Sequence, residues 1–187
     1  MIKKKILIFG SDSTLAKKIC SAGSKKFLFK KINKKKLNFN DLNAPKRIIK
    51  ILSKDEPDII LNCSGVLGDN TLKYEHVFNT NFGSNWEIAK YYINQTKINK
   101  KITILFIGST AYKTGKKNYL LYSSSKAALH NLYQGAKKIL TEKKIKLLIY
   151  HPTRMRTKMI KKLSLFERKS AINPMTEAKK IINLLDI

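Results

Sequence analysis

The sequence predicts an α/β fold: a three-layer αβα, doubly wound parallel sheet of about six strands, formed as one domain over residues 1–187. Three observations predict it. Short, continuous apolar runs (6–9, 59–61, 104–107) alternate with amphipathic helical stretches. Strands that are apolar on both faces belong in a parallel sheet with helices on either side. The runs end in turns rich in glycine and serine, and 187 residues suffice for one sizeable core.

The elements follow in order. Residues 4–10 read as a first strand and 14–22 as a helix that Gly23 helps to end. A second strand is expected over 27–32 and a short third over 37–39. Asn43-Ala44-Pro45 opens a helix through about residue 54, because proline suits a first helical turn. Residues 58–63 read as a buried strand, 75–96 as a long helix, 102–108 as a strand and 122–142 as a helix. A strand over 145–151 and a helix over 175–186 complete the pattern. In such sheets ligands bind at the carboxyl ends of the strands, so the loops after residues 10, 63, 108 and 151 share one edge.

Composition narrows the class. The formal net charge is +27, and 35 of the 39 basic residues are lysines. Phosphate and base readers favour arginine, whose planar fork binds bidentately. Lysine is spread along the whole chain, so the charge reads as a compositional bias, not as a specific nucleic-acid face. No apolar run approaches the ~18 residues of a membrane span. The apolar run near the start is shorter than the ~7–15 residues of a signal segment. These features predict a cytoplasmic protein without a membrane partner. Cys20 and Cys63 show no ligand or redox spacing, and His76, His130 and His151 are scattered, so no metal site is expected.

The chemistry sits in the loops. Gly10 ends the first strand and Ser13 or Thr14 is placed to cap the next helix. A helix N-terminus after a glycine turn offers free N–H groups and a positive dipole end to a pyrophosphate. With a single glycine the loop is a weak signal alone, and Asp12 puts a negative charge close to it. Asn62-Cys63-Ser64-Gly65 ends the 58–63 strand, and Gly108-Ser109 ends the 102–108 strand. Tyr122 and Lys126 share one helical face at the start of the following helix. An ammonium near a phenol lowers the phenol pKa from its usual ~10, as a general acid working near neutrality requires. Tyr112/Lys116 and Tyr133/Lys137 repeat the spacing, and chance predicts about one or two such pairs in this composition. Only Tyr122 sits at a helix start with a strand-end serine thirteen residues before it.

Together these residues resemble the short-chain dehydrogenase/reductase family, which has a Rossmann-type fold. The Tyr-x-x-x-Lys pattern falls on Tyr122 and Lys126, and the catalytic serine on Ser109. Asn62-Cys63-Ser64-Gly65 is similar to the family's Asn-Asn-Ala-Gly. Asn81 matches its helix asparagine, Pro152 to Thr157 its Pro-Gly-x-x-x-Thr stretch, and Asp41-Leu42 its adenine-contacting pair. The resemblance implies an NAD(P)(H)-dependent oxidoreductase that reduces a carbonyl or oxidises an alcohol. Tyr122 would donate the proton, Lys126 would hold the ribose hydroxyls and depress the Tyr122 pKa, and Ser109 would bind the reacting oxygen. Asn81 would hold a water feeding a proton relay. Gly10, Ser13, Thr14, Leu15, Asp41, Leu42, Asn62, Ser64, Gly65, Tyr122, Lys126, Pro152 and Thr157 would contact the cofactor.

Two departures shape the expectation. Only 52 positions separate Gly10 from Asn62, about one αβ unit fewer than is typical, which is similar to dTDP-4-dehydrorhamnose reductases. An acid after the second strand usually selects NAD. Here that position leads into Lys31-Ile-Asn-Lys-Lys-Lys36, so NADP is the expected cofactor, with NAD the alternative. The segment Arg154–Ser170 carries Arg154, Arg156, Arg168, Met155, Met159 and Phe166, which suggests a cover for a small, anionic carbonyl or alcohol substrate. A homodimer is compatible with the family. A nucleotide-sugar reductase, epimerase or dehydratase, or a non-catalytic dinucleotide-binding module, stays open as a reading.

Overall fold

A computed structural model describes residues 3–68, 71–159 and 169–186. Its elements are β1 (Lys4–Phe9), α1 (Thr14–Gly23), β2 (Phe27–Ile32), α2 (Ala44–Asp55), β3 (Ile59–Asn62), α3 (Tyr74–Phe78), a π-helical turn (Asn79–Gly83) and α4 (Ser84–Ile93). β4 (Ile102–Ile107), a 3₁₀ turn (Thr110–Tyr112), α5 (Leu120–Glu142), β5 (Ile145–Tyr150) and α6 (Pro174–Leu185) follow.

The sheet has five parallel strands in the order β2-β1-β3-β4-β5. The expected strand at 37–39 is absent. Asn33 accepts the backbone N–H groups of both Lys36 and Leu37, so this stretch turns instead of joining a ladder. Leu37 still buries itself in the core. Between β2 and β3 only α2 intervenes, so the missing αβ unit inferred from the short Gly10–Asn62 interval is a missing strand at the β2 edge.

Period-two alternation divides the core between two faces. Leu7, Phe9, Ile60, Ile104, Phe106 and Leu147 face α2, α4 and α5, where Ile48, Leu52, Ile88, Leu129 and Leu140 meet them. Ile6, Ile8, Ile59, Leu61, Leu105 and Ile107 face α1 and α6, against Leu15, Ile19, Ile181, Ile182 and Leu185. Burying each such side chain stabilises the fold by about 1.5–3 kcal/mol. Truncating the fully buried Phe106 to alanine costs about 3–5 kcal/mol.

Register brings the strand ends level: Phe9 pairs with Asn62, Asn62 with Phe106, and Ile107 with Tyr150. The turns after β1, β3, β4 and β5 therefore meet along one rim. No helix among the described residues is long and apolar enough to cross a membrane.

Candidate active site

The first turn is built around a close backbone approach. Gly10 has φ +65°, and a Cβ there would stand 2.7 Å from both the backbone N and the Oγ of Ser64. Ser13 caps α1, its Oγ accepting from the N–H of Ala16 at 3.2 Å, which aims the helix N-terminus along the rim. Asp12 is exposed there, so its charge is solvated.

The second turn is held by a buried amide network. Asn62 Nδ2 donates to Ser84 Oγ at 2.9 Å and to Asn85 Oδ1 at 3.0 Å, while its Oδ1 accepts from Ser64 N–H at 3.0 Å. Ser64 Oγ is buried without a partner among the described residues. Asn81, fully buried in the π-helical turn, donates to the Val66 carbonyl and to Ser125 Oγ, each at 3.0 Å, and accepts from Val66 N–H at 2.9 Å. Both of its amide hydrogens are thus committed to clamping the β3 turn onto α5.

Two cavities open on this rim. One, of about 510 Å³, runs from the α1 N-terminus past Ser64 and Gly65 to Tyr122, Lys126 and Thr157. The other, of about 500 Å³, is bordered by Ser109, Lys116, Lys117, Tyr119, Tyr122 and Arg154. Tyr122 stands in the wall common to both, beside Gly108 and Pro152. A third space of about 240 Å³ continues the first cavity from Ser13 and Ser64 to Lys34, Phe39 and Asn40.

Comparison with known proteins decides the family. The family of short chain dehydrogenases matches residues 13–168. The chain belongs to the short-chain dehydrogenase family. It is accordingly an NAD(P)-dependent oxidoreductase on a Rossmann-type fold. It is 27% identical to the 3-oxoacyl-(acyl-carrier-protein) reductase FabG of Buchnera aphidicola subsp. Schizaphis graminum, over 91% of this chain and 81% of that protein. Its fold is similar to a short chain dehydrogenase of Burkholderia cenocepacia solved in complex with NADP. That pair has a TM-score of 0.81 and 12% identity, over 99% of this chain and 85% of the other. It is similar too to the 3-alpha-hydroxysteroid dehydrogenase of a Pseudomonas species complexed with NADH. There the TM-score is 0.81 and the identity 14%, over 98% and 89% of the two chains.

Within this short-chain dehydrogenase the rim residues fit a dinucleotide. The glycine turn admits a close approach, the α1 N-terminus faces the cavity, and Ser64 Oγ is an orphaned polar atom in its wall. The structure gathers Gly10, Ser13, Thr14, Leu15, Ser64, Gly65, Tyr122, Lys126, Pro152 and Thr157 around the 510 Å³ cavity or its continuation. Asn62 lies behind it, holding the turn. Asp41 and Leu42 are placed elsewhere: Leu42 is 97% exposed, and Asp41 accepts from Asn43 N–H and Arg47 at the start of α2. Phe39 and Asn40 border the adenosine-sized continuation instead, with Asn40 Nδ2 donating to His76 Nδ1 at 2.7 Å. Arg168 and Phe166 lie outside the described residues. Arg154 donates to Ser170 Oγ at 2.9 Å, and Met155 pairs with Ile172 in an isolated bridge.

The electrostatics differ from the sequence expectation. Burial raises the Tyr122 pKa above its ordinary value of 10, with a side-chain hydrogen bond to Ser109 pulling the other way. Lys126 does not reverse this. Its Nζ lies 5.9 Å from the Tyr122 ring centre and donates to the Ile107 carbonyl at 2.9 Å. Lys126 is itself 3% exposed, and burial lowers its pKa to about 8, opposed by Cys63. Desolvation disfavours the charged form of each partner, so the phenol stays protonated and the ammonium becomes easy to deprotonate.

Sequence reasoning did not see what lies behind Ser109. His151 Nδ1 sits 3.1 Å from Ser109 N, and His151 Nε2 sits 3.1 Å from His130 Nδ1. Tyr112 stacks on both rings, at 4.1 Å from His130 and 4.3 Å from His151. Histidines 21 positions apart on different elements leave no local spacing to read. Tyr112 is part of this stack and Tyr133 packs against the core, so neither lines the two cavities.

Proposed function

We propose that this enzyme reduces a ketone with NADPH, using Tyr122 as the proton donor. The observation that carries the reading is that Tyr122 stands between the two cavities, with Ser109 on the substrate side and Lys126 on the cofactor side. When bound, the nicotinamide would supply the hydride for the carbonyl carbon. The Tyr122 hydroxyl gives its proton to the carbonyl oxygen, completing the alcohol, and is reprotonated from solvent. Ser109 Oγ hydrogen-bonds the same oxygen and stabilises the charge that develops there. Lys126, with one of three ammonium protons on Ile107 O, has two for ribose hydroxyls. Asn81 acts as a positioning residue, since its side-chain protons are committed to Val66 and Ser125.

The substrate best supported is an acyl thioester with a 3-oxo group. The similar Buchnera protein is named for that chemistry, and Lys116, Lys117 and Arg154 line the substrate cavity where an anionic carrier arm would lie. Lys34 beside the adenosine end supports NADP over NAD. The solved relatives include complexes with both cofactors.

The test is NADPH titration, then turnover of acetoacetyl-CoA by wild type and Tyr122→Phe. The variant should bind NADPH as wild type does and lose about 10²–10⁴-fold in kcat. Equal turnover by the two proteins would remove Tyr122 from the chemistry.

A further inference from the structure

The pair His130–His151 lies outside the residues just assigned and does not line the cofactor cavity. Its geometry bears on Ser109. Ser109 N–H finds its acceptor in His151 Nδ1 at 3.1 Å, and the same nitrogen lies 3.1 Å from Ser109 O. Only an unprotonated Nδ1 can accept, so the N–H bond requires the neutral Nε2–H tautomer of His151. His130 Nδ1, 3.1 Å away on α5, is placed to accept that proton. Tyr112 stacks on both rings, at interplanar angles of 25° and 29°, while the two imidazoles are tilted 51° to each other. Room for the imidazole depends on Gly108, because a Cβ at that position would stand 2.4 Å from His151 Nδ1.

We propose that His151, with its tautomer set by His130, is a positioning residue that holds the Ser109 backbone, and so the Ser109 hydroxyl, in register with Tyr122 only while His151 is uncharged. The inference rests on the reading that Ser109 binds the reacting oxygen. Ser109 begins the 3₁₀ turn, with its Oγ accepting from Ala111 N–H at 3.2 Å, so a shift of its backbone carries the hydroxyl along. Protonation of His151 would convert Nδ1 into a donor toward Ser109 O and strip Ser109 N–H of its acceptor. The groups facing His151 oppose that charge. His130 and Lys126 from α5 and Lys113 after the 3₁₀ turn are all basic, and Tyr112 is neutral. Burial and these neighbours hold the His151 pKa below its ordinary 6.5, against the pull of the Ser109 backbone. The pair is therefore in its holding state at neutral pH and is lost on acidification.

Two measurements test this on the full chain. In the first, ¹⁵N NMR follows the three histidines and the Ser109 amide from neutral to acid pH. His151 Nδ1 should be the bare nitrogen, and the Ser109 amide should shift with the His151 midpoint in wild type. In His151→Asn, whose Oδ1 is an acceptor that does not titrate, that shift should vanish. In the second, kcat with NADPH and acetoacetyl-CoA should fall at least tenfold in His151→Leu, with the NADPH Kd within twofold of wild type. In His151→Asn it should stay within about threefold and lose the acid limb of its pH profile. A protonated Nδ1, or a Ser109 amide that ignores the His151 titration, overturns the hydrogen bond without reference to turnover. Wild-type kcat in His151→Leu overturns the positioning role. Absence of acetoacetyl-CoA turnover in wild type itself would instead count against the 3-oxoacyl thioester reading, while the NMR arm still decides the pair.

Discussion

Lys126 Nζ donates to the carbonyl oxygen of Ile107 at 2.9 Å, from a side chain almost wholly withdrawn from water. The last residue of β4 thus anchors the ammonium near the first turn of α5. The folded state holds the lysine pKa near 8, against 10.5 for an ordinary lysine. Between those values the unfolded chain binds more protons than the folded one, so stability rises with pH there. The unfolding free energy of wild type relative to Lys126→Met should climb by about 3 kcal/mol from pH 8 to 10.5 and be flat below. Urea denaturation of the unliganded proteins at stepped pH measures it. A difference that is flat throughout would mean that the ammonium is not desolvated.

Gly10→Ala should damage both fold and cofactor binding. At φ +65° a side chain costs about 1–3 kcal/mol. The new Cβ would also meet Ser64 N at 2.7 Å and Ser64 Cα at 2.8 Å, backbone atoms that no rotamer change can move. Denaturation should show a loss in that range or above, and NADPH titration at least a tenfold weaker Kd. Wild-type affinity in this variant would place the pyrophosphate elsewhere.

Asn81→Leu should unclamp the β3 turn from α5. It leaves Val66 N–H, Val66 O and Ser125 Oγ without the bonds that Asn81 makes. Each buried polar group so orphaned costs about 1–3 kcal/mol. Ser125 Oγ also donates to the Tyr122 carbonyl at 2.8 Å, so the loss reaches the helix turn that carries Tyr122. We expect at least about 3 kcal/mol of destabilisation and a lower kcat in whatever fraction folds, read by denaturation and active-site-normalised turnover.

Glu177 ties α6 to the substrate side. Its carboxylate accepts from Tyr150 Oη at 2.6 Å, Lys180 Nζ at 3.0 Å and Thr153 Oγ1 at 3.2 Å. Burial alone would raise its pKa, but the Tyr150 hydrogen bond, then Lys180 and Thr153, outweigh it and the net shift is downward. A depressed carboxyl stabilises the fold fully above its ordinary 4.5 and loses that contribution as pH falls through the lower folded-state value. Glu177→Gln should therefore be about 2–3 kcal/mol less stable than wild type at pH 7. The gap should close toward pH 3, as thermal or urea unfolding would show.

What could be read without coordinates was local or serial. The continuous runs Ile6–Phe9 and Ile104–Ile107 announced buried parallel strands because each residue faces a helix layer on one side or the other. Ser109, Tyr122 and Lys126 were legible because their spacing and their places at a strand end and helix start are written along the chain. The fate of 37–39 was less so, since Asn33 turns the backbone there and a buried Leu37 looks the same in a turn as in a strand. Asp41-Leu42 has the expected composition, yet the approach to α2 faces it away from the rim.

Residue order therefore settled the layers and five of the strands of this short-chain dehydrogenase, and singled out Ser109, Tyr122 and Lys126 as candidates, because those depend on periodicity and on turns. Only the tertiary structure decided that Tyr122 divides two cavities, that burial and not Lys126 governs its proton, and that His151 meets His130 behind Ser109. These depend on register between strands distant in the chain and on how much water each group has lost, quantities that exist only once the sheet and its helices have packed.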